Sequence, residues 1–429
     1  MPSLTVENFS AIKRADIQLH PMTVVVGPQS SGKSVICKLM YFCIQATMNY
    51  FSSLEEFGDV EDYRKSLADK FSEWFPPEAW GDEKFSIRFK AGDITIHIYR
   101  SSYSGEVSSK VNVRLSRFIR GLYSEDMEGI KAQAVKIDTE ARPLDPVEAL
   151  WSIQRNRRKA LAAELGDEYV GFQQFIPAGR SFFTNVGKAI SAFEQAKMLE
   201  PFTVDFGRYF SLVRETLSST RLYRRPSLRD IQSDIEELRR EYLEPAIGGQ
   251  LIMEKNREFV KARDGRLISF QHLSSGQQEI LPLVLSVLHH VEFYRGSNSI
   301  LYIEEPEAHL FPTTQDLIVR FLARISAAEF YNCRMIITTH SPYVLAKINN
   351  LILAGQIGTV TSKARREIGG IVDQKCWLPL DRVAAYAIVD GEVMSILDGT
   401  GLIDGDYLDS VSDTMSEEFT TLLDILNAQ

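Results

Sequence analysis

The sequence predicts an α/β fold, a mixed sheet carrying a large and mainly helical insertion, and three observations lead to it. Met22-Thr23-Val24-Val25-Val26 is mostly β-branched, as a strand buried on both faces requires, and it opens directly onto a glycine loop and a helical stretch. Two further apolar runs, within residues 299–312 and 334–342, end in acidic or polar residues and lead into helical periodicity. Between these regions, residues 51–265 show weaker periodicity, with aromatic-rich segments alternating with polar helices.

Leu4-Thr5-Val6-Glu7-Asn8-Phe9 reads as a strand, and Ala15-Asp16-Ile17-Gln18-Leu19 alternates as its hairpin partner. After the glycine loop, Val35, Ile36, Leu39, Met40, Phe42 and Cys43 give the first helix an apolar face. Inside the insertion, residues 86–100 read as a β-hairpin. Leu228, Ile231, Ile235, Leu238 and Tyr242 recur at a/d spacing, Ser227 and Asp230 suit a capping box, and Pro245 follows the end. This predicts a short coiled-coil arm over about 227–245. Residues 267–270 read as a short strand before a helix reaching about Tyr294. A helix over about 314–328 separates the two late strands, and another follows the second. The tail from Asp381 is acidic and reads as a small α/β cap. The expected divisions are 1–50 and 266–350 for the two parts of the head, 51–265 for the insertion and 351–429 for the cap.

Of the 429 residues, 44% are hydrophobic and 24% charged, the balance of a soluble globular chain. A net charge of −9 excludes a polyanion binder driven by overall charge. Two local basic clusters, Arg155, Arg157, Arg158 and Lys159, and Arg221, Arg224 and Arg225, read as solvated helix faces and leave DNA open as a partner. Cys37, Cys43, Cys333 and Cys376 include no Cys-x-x-Cys, which excludes a zinc site of the usual spacing and points to a reducing cytoplasm. The first twenty residues are unlike a secretory signal, and the apolar run 280–288 falls far short of the ~20 residues that span a membrane.

Gly27-Pro28-Gln29-Ser30-Ser31-Gly32-Lys33-Ser34 has the G-x-x-x-x-G-K-S spacing of a P-loop. The backbone N–H groups along Gly27 to Val35, Pro28 having none, would wrap phosphate oxygens, Lys33 would reach the β- and γ-phosphates of ATP, and Ser34 would ligate Mg²⁺. A second metal anchor and a base are then expected at the end of a neighbouring buried strand. Glu304 and Glu305 end one such run, Glu304 for Mg²⁺ through a water and Glu305 for the nucleophilic water, with Glu307 a weaker contender for base. His340, at the tip of the other, is placed to sense the γ-phosphate. Ser275-Gly276-Gln277 opens a helix. Read locally it is a serine cap with Glu279 in a capping box; in this company it is an anion receptor for the nucleotide of another subunit.

The set GPQSSGKS, LSSGQQE, YIEEPEAHL and TTHSP, in that order, resembles ABC-class ATPases of the SMC/RecF/OLD group. Within it, Glu304 where transporters carry Asp is more similar to the OLD group and to the AAA-family subunits of anti-phage defence systems of the PARIS or Septu type. The resemblance covers about residues 1–50 and 260–350. It implies a P-loop NTPase fold of the ABC ATPase head type, ATP and Mg²⁺, Glu305 as base, and Ser275, Gly276 and Gln277 acting in trans in a homo-oligomer of at least two heads. Residues 172–181, FQQFIPAGRS, are similar to a segment of those defence ATPases, which implies Gln173 or Gln174 as Q-loop and Arg180 near the phosphates. About 80 residues follow His340, too few for a confident Toprim domain, so a separate effector, a Toprim-type or other nuclease, is the expected partner. The other reading is a RecF- or SMC-like DNA-binding ATPase of repair.

Overall fold

The computed structural model describes residues 1–56, 59–103, 106–139, 146–186, 198–218, 229–254, 257–404 and 420. In chain order the strands are β1 (Ser3–Phe9), β2 (Ile12–Gln18), β3 (Met22–Val26), β4 (Ser86–Ala91), β5 (Ile94–Tyr99), β6 (Ser102–Tyr103), β7 (Glu106–Val107), β8 (Asn112–Leu115), β9 (Phe172–Ile176), β10 (Gly249–Glu254), β11 (Arg257–Ala262), β12 (Leu267–Ser269), β13 (Ser299–Glu304), β14 (Cys333–Thr339), β15 (Val383–Val389) and β16 (Glu392–Ser395). Eleven form one sheet in the order β8-β5-β4-β1-β2-β16-β15-β3-β14-β13-β9. The segment β15-β3-β14-β13-β9 is wholly parallel, and β8-β5-β4-β1-β2 is antiparallel, so the sheet is mixed. Strands from all four expected divisions share this sheet: β9 comes from the 51–265 stretch and β15 from 351–429.

Successive residues of a strand point to opposite faces, and here both faces are covered. Val24, Val26, Leu301, Ile303, Met335 and Ile337 belong to one core; Val25, Ile300, Tyr302 and Ile336 belong to the other. That is why the central strands carry no polar alternation. Ile36, Leu39, Met40 and Cys43 of the Lys33–Glu56 helix join the second core. So do aromatic residues of the insertion, with Phe9 meeting Phe85 at 4.9 Å and Phe42 meeting Phe71 at 5.4 Å. The Ser275–Phe293 helix, followed by Pro312–Ala327 and Pro342–Gly358, fills the first core.

The a/d spacing near residue 235 has a different cause from the one the sequence suggests. Leu228, Ser227 and the Arg221–Arg225 cluster lie outside the described residues. The described part is a helix, Arg229–Leu238, continued by a π-helical turn, Arg239–Leu243. Ile235, Leu238 and Tyr242 are buried in the first core rather than along an arm. Arg324, on the Pro312–Ala327 helix, pins this segment by contacts to Asp234 at 3.5 Å, Glu237 at 3.1 Å and Glu241 at 2.5 Å. The apolar stripe thus faces the head itself. Among the described residues no helix is long and apolar enough to cross a membrane.

Candidate functional site

The parallel strands β3, β14, β13 and β9 all point their C-terminal ends at one edge, where α/β sheets place ligands. The loop after β3 turns through Ser30 at φ 62° and Gly32 at φ 104°, both left-handed. The φ of Gly32 is one that L side chains rarely adopt, and a Cβ there would also sit 2.5 Å from Ile12 Cδ1, on a buried residue of β2. The helix starts at Lys33. Pro28, Gln29, Ser30 and Ser34 are exposed, Ser31 and Val35 half-buried, and Gly27 buried. Lys33 Nζ donates to the carbonyls of Gly27 at 2.9 Å and Pro28 at 2.8 Å. Burial pushes the Lys33 ammonium below its ordinary pKa, while Glu305, Glu307 and Glu304, in that order, pull it back up.

Glu304 is the last residue of β13, paired across to Thr338. Glu305 follows at φ 42°, a left-handed conformation that costs a non-glycine residue about 1–2 kcal/mol. Its N–H donates to Thr338 O at 2.9 Å, which holds the turn in place. His340, just past β14, stands between Lys33 and Glu305: its Nδ1 is 3.4 Å from Lys33 Nζ and its Nε2 is 3.0 Å from Glu305 Oε1. A lysine ammonium only donates, so Nδ1 accepts and Nε2–H donates to the carboxylate. The structure therefore joins Lys33, His340 and Glu305 in one line. Glu307 takes another role, as its Oε1 accepts from the Thr339 hydroxyl at 2.7 Å and from His340 N at 2.8 Å. It fixes the histidine's backbone.

Glu304 is 7% exposed, and its Oε2 accepts from Ala178 N at 3.3 Å while Oε1 is buried with no hydrogen-bond partner. A buried carboxylate oxygen without a donor fits a cation. Among the described residues no group of three or more His, Cys, Asp or Glu is placed to hold a metal ion. A hydroxyl, one carboxylate and substrate phosphates match how magnesium is usually bound.

The glutamines and Arg180 lie elsewhere than the sequence suggests. Gln173 and Gln174 sit inside β9, opposite Ile300 and Leu301, well below the strand end. Gln173 is saturated, donating to Tyr41 O and Gln45 Oε1 and accepting from Tyr302 Oη. Gln174 donates to Phe175 O. Neither reaches the ligand edge. Arg180 is 0% exposed and its guanidinium is bonded to backbone carbonyls behind the acid pair, so it is withdrawn from any phosphate. Nothing in the local sequence signals those partners, which lie 99 to 125 residues away.

Ser274, rather than Ser275, caps the Ser275–Phe293 helix. Its Oγ accepts from Gln277 N at 3.4 Å, and Gln277 Oε1 accepts from Ser274 N at 3.0 Å, completing a capping box. Glu279, the expected box partner, is buried and accepts from Ser181 N at 3.3 Å instead. Ser275 is exposed. Gly276 is packed so that a Cβ would lie 2.9 Å from His309 O, on the loop after the acid pair.

A buried strand, a loop that turns through left-handed Ser30 and Gly32, and a helix opened by Lys33 make the molecule a P-loop NTPase in class, with the acids and histidine at and just past the ends of adjoining strands. Residues 22–346 match the AAA_21 family, described as "AAA domain, putative AbiEii toxin, Type IV TA system", and the chain belongs to that family. Comparison with curated proteins gives no match. Similar solved structures include an SMC head bound to the C-winged helix domain of ScpA, 14% identical, covering 92% of this chain and 96% of that chain, with a TM-score of 0.36. The SMC head domain of Thermotoga maritima is 14% identical over 92% and 97%, with a TM-score of 0.34. An Smc head with an extended coiled coil, bound to the C-terminal domain of ScpA and derived from Pyrococcus furiosus, is 13% identical over 97% and 99%, with a TM-score of 0.38. These likenesses are too distant to carry an argument about function.

Proposed function

We propose that the protein hydrolyses ATP to ADP and phosphate, with magnesium, and that nucleotide draws two heads together to control a separate effector protein. The observation that carries the hydrolytic part is the line Lys33–His340–Glu305. Lys33 offers a cation to the β- and γ-phosphates. His340 commits its Nε2–H to Glu305 Oε1, which leaves Oε2 to take a proton from water. The water oxygen then bonds to the γ-phosphorus as the bond to the β-phosphate bridging oxygen breaks, and the proton stays on Glu305. Ser34 and Glu304 would hold magnesium, which when bound neutralises charge on the phosphate oxygens.

Association of heads is supported by the exposed Ser275 at the open end of a capped helix, whose free N–H groups favour an anion. A nucleotide bridging that end and a second copy's P-loop links assembly to ATP. Of the settings for such a switch, we take bacterial anti-phage defence with a nuclease effector, on the strength of the motif resemblance at Glu304 and Glu305. A cleft lined by Gln154, Arg155, Arg158 and Lys159 favours a second reading, a DNA-binding repair ATPase, whose mark would be tight and salt-sensitive DNA binding without any partner.

Glu305→Gln tests the assignment. It keeps the shape, removes the base, and is expected to cut turnover at least about 10³-fold while accumulating an ATP-bound oligomer on size exclusion. Hydrolysis at the parent rate would remove Glu305 from the mechanism.

A further inference from the structure

We infer that Arg180 is a positioning residue that makes the placement of Glu305 depend on the Ser275–Phe293 helix, so that docking at that helix's start regulates hydrolysis in the same head. The inference rests on the reading of Glu305 as base and Ser275 as the partner-facing residue. Arg180 has no solvent exposure, and its guanidinium is shared among three elements. Nε donates to Glu279 O at 2.9 Å, Nη1 to Pro177 O at 3.2 Å and Glu304 O at 2.8 Å, and Nη2 to Glu305 O at 3.1 Å. Its charge is met by the Glu279 carboxylate, with Nε 3.7 Å from Oε2. Glu279 lies four residues beyond Ser275, one helical turn further along the same face.

A buried ion pair is a costly way to fill space, since apolar side chains of similar volume would be as stable or more so. What the guanidinium offers instead is a rigid planar fork that holds several acceptors in fixed relation, which lysine cannot do. Here the acceptors are the carbonyls of both acids, that of Pro177 and one carbonyl of the helix. Glu305 has no intrinsic preference for φ 42°; its N–H bond to Thr338 and the two bonds its carbonyl accepts, from Arg180 at 3.1 Å and from Ala308 N at 3.0 Å, keep it there. A shift of the first turns of the helix moves Glu279, hence the fork, hence the Glu305 carbonyl. Gly276 packs beside the same loop, where a Cβ would lie 2.9 Å from His309 O, so the helix start meets the 305–309 segment at His309 directly and at Glu305 through Arg180.

The test uses the full chain and two readouts, amide hydrogen exchange over residues 305–310 without nucleotide, and single-turnover ATP hydrolysis. Arg180→Lys keeps the charge and loses the fork. It is expected to raise exchange about tenfold and slow hydrolysis about 10²-fold, with ATP affinity within about threefold. Glu279→Gln, which touches neither acid's side chain, is expected to move both readouts in the same direction by smaller factors. Arg180→Gln alone leaves a buried carboxylate unpaired and endangers folding, so the double variant Arg180→Gln/Glu279→Gln removes both charges together. It is expected to melt near the parent and still hydrolyse as slowly as Arg180→Lys. Unchanged exchange over 305–310 in Glu279→Gln overturns the inference, as does a double variant with parent rate and parent exchange. A parent chain that binds ATP without hydrolysing it sinks the base assignment instead, and the exchange readout still decides the coupling.

Discussion

At Glu305 the backbone is held left-handed, the N–H is tied to Thr338, and one carboxylate oxygen is occupied by His340. His340→Ala removes the last of these without disturbing the strand, because the loop is anchored separately by Glu307 at the His340 N–H. Hydrolysis is expected to fall about 10²-fold while ATP binding, measured by equilibrium titration, changes less than about threefold. A parallel loss of affinity would show that the histidine serves binding instead. The candidates at strand ends were readable in the sequence because each closes an apolar run. Gln173 and Gln174 misled for the same reason: the Phe-Ile that follows them continues the strand, so they fall inside it. The positioning roles of Glu307 and Arg180 could not be read, since they rest largely on main-chain groups brought close only by the fold.

At the start of the Ser275–Phe293 helix, Ser274 and Ser275 are both exposed, and only Ser274 caps. Ser274→Ala removes the cap and is expected to cost about 1 kcal/mol in denaturant unfolding, with the rate at 25 °C nearly intact. A large loss of turnover without loss of stability would move the functional role to Ser274. Further along, His289 and His290 are buried and pushed down to about 4 and about 3, burial being the main cause for each. Their folded pKa values lie below the unfolded value of about 6.5, so below that pH the unfolded chain binds more protons than the fold. Stability is therefore full above pH 6.5 and is lost as pH falls toward 4 and then 3. Replacing His290 with Asn is expected to flatten the acid limb of a stability–pH profile, and an unchanged slope would contradict it. The pattern of elements was legible where periodicity is strong. The 86–100 hairpin is one case. The a/d spacing around Tyr242 was ambiguous, because a stripe at that spacing fits a partner helix and the head's own core equally well.

For the whole molecule, the proposal requires two copies. Mixing Lys33→Ala with Ser275→Arg chains is expected to restore part of the activity that each lacks, because one of the two sites in a mixed dimer keeps both an intact P-loop and an intact Ser275-Gly276-Gln277 segment. A confirmed mixed dimer without activity would argue against shared sites. The fold class was readable from three strands, whereas the full sheet was not, because its order joins strands far apart in the chain. The pair β15 and β16 had a usable signal, an Asp390-Gly391 turn with φ 50° and 85° between apolar runs. Its place beside β3 had none.

That place bears on biosynthesis. Strand β3, apolar and buried on both faces, is made within the first thirty residues, but its neighbours β14 and β15 are completed only at residues 339 and 389. At about 5–20 residues per second the ribosome needs tens of seconds to supply them. During that interval β3 has two open edges, a template for mispairing that a finished sheet does not present. A chain terminated before β15 keeps its P-loop sequence intact while the strand behind it lacks one side of its support. Truncated products should then be cleaved more readily through that exposed strand than the longer chain in limited proteolysis.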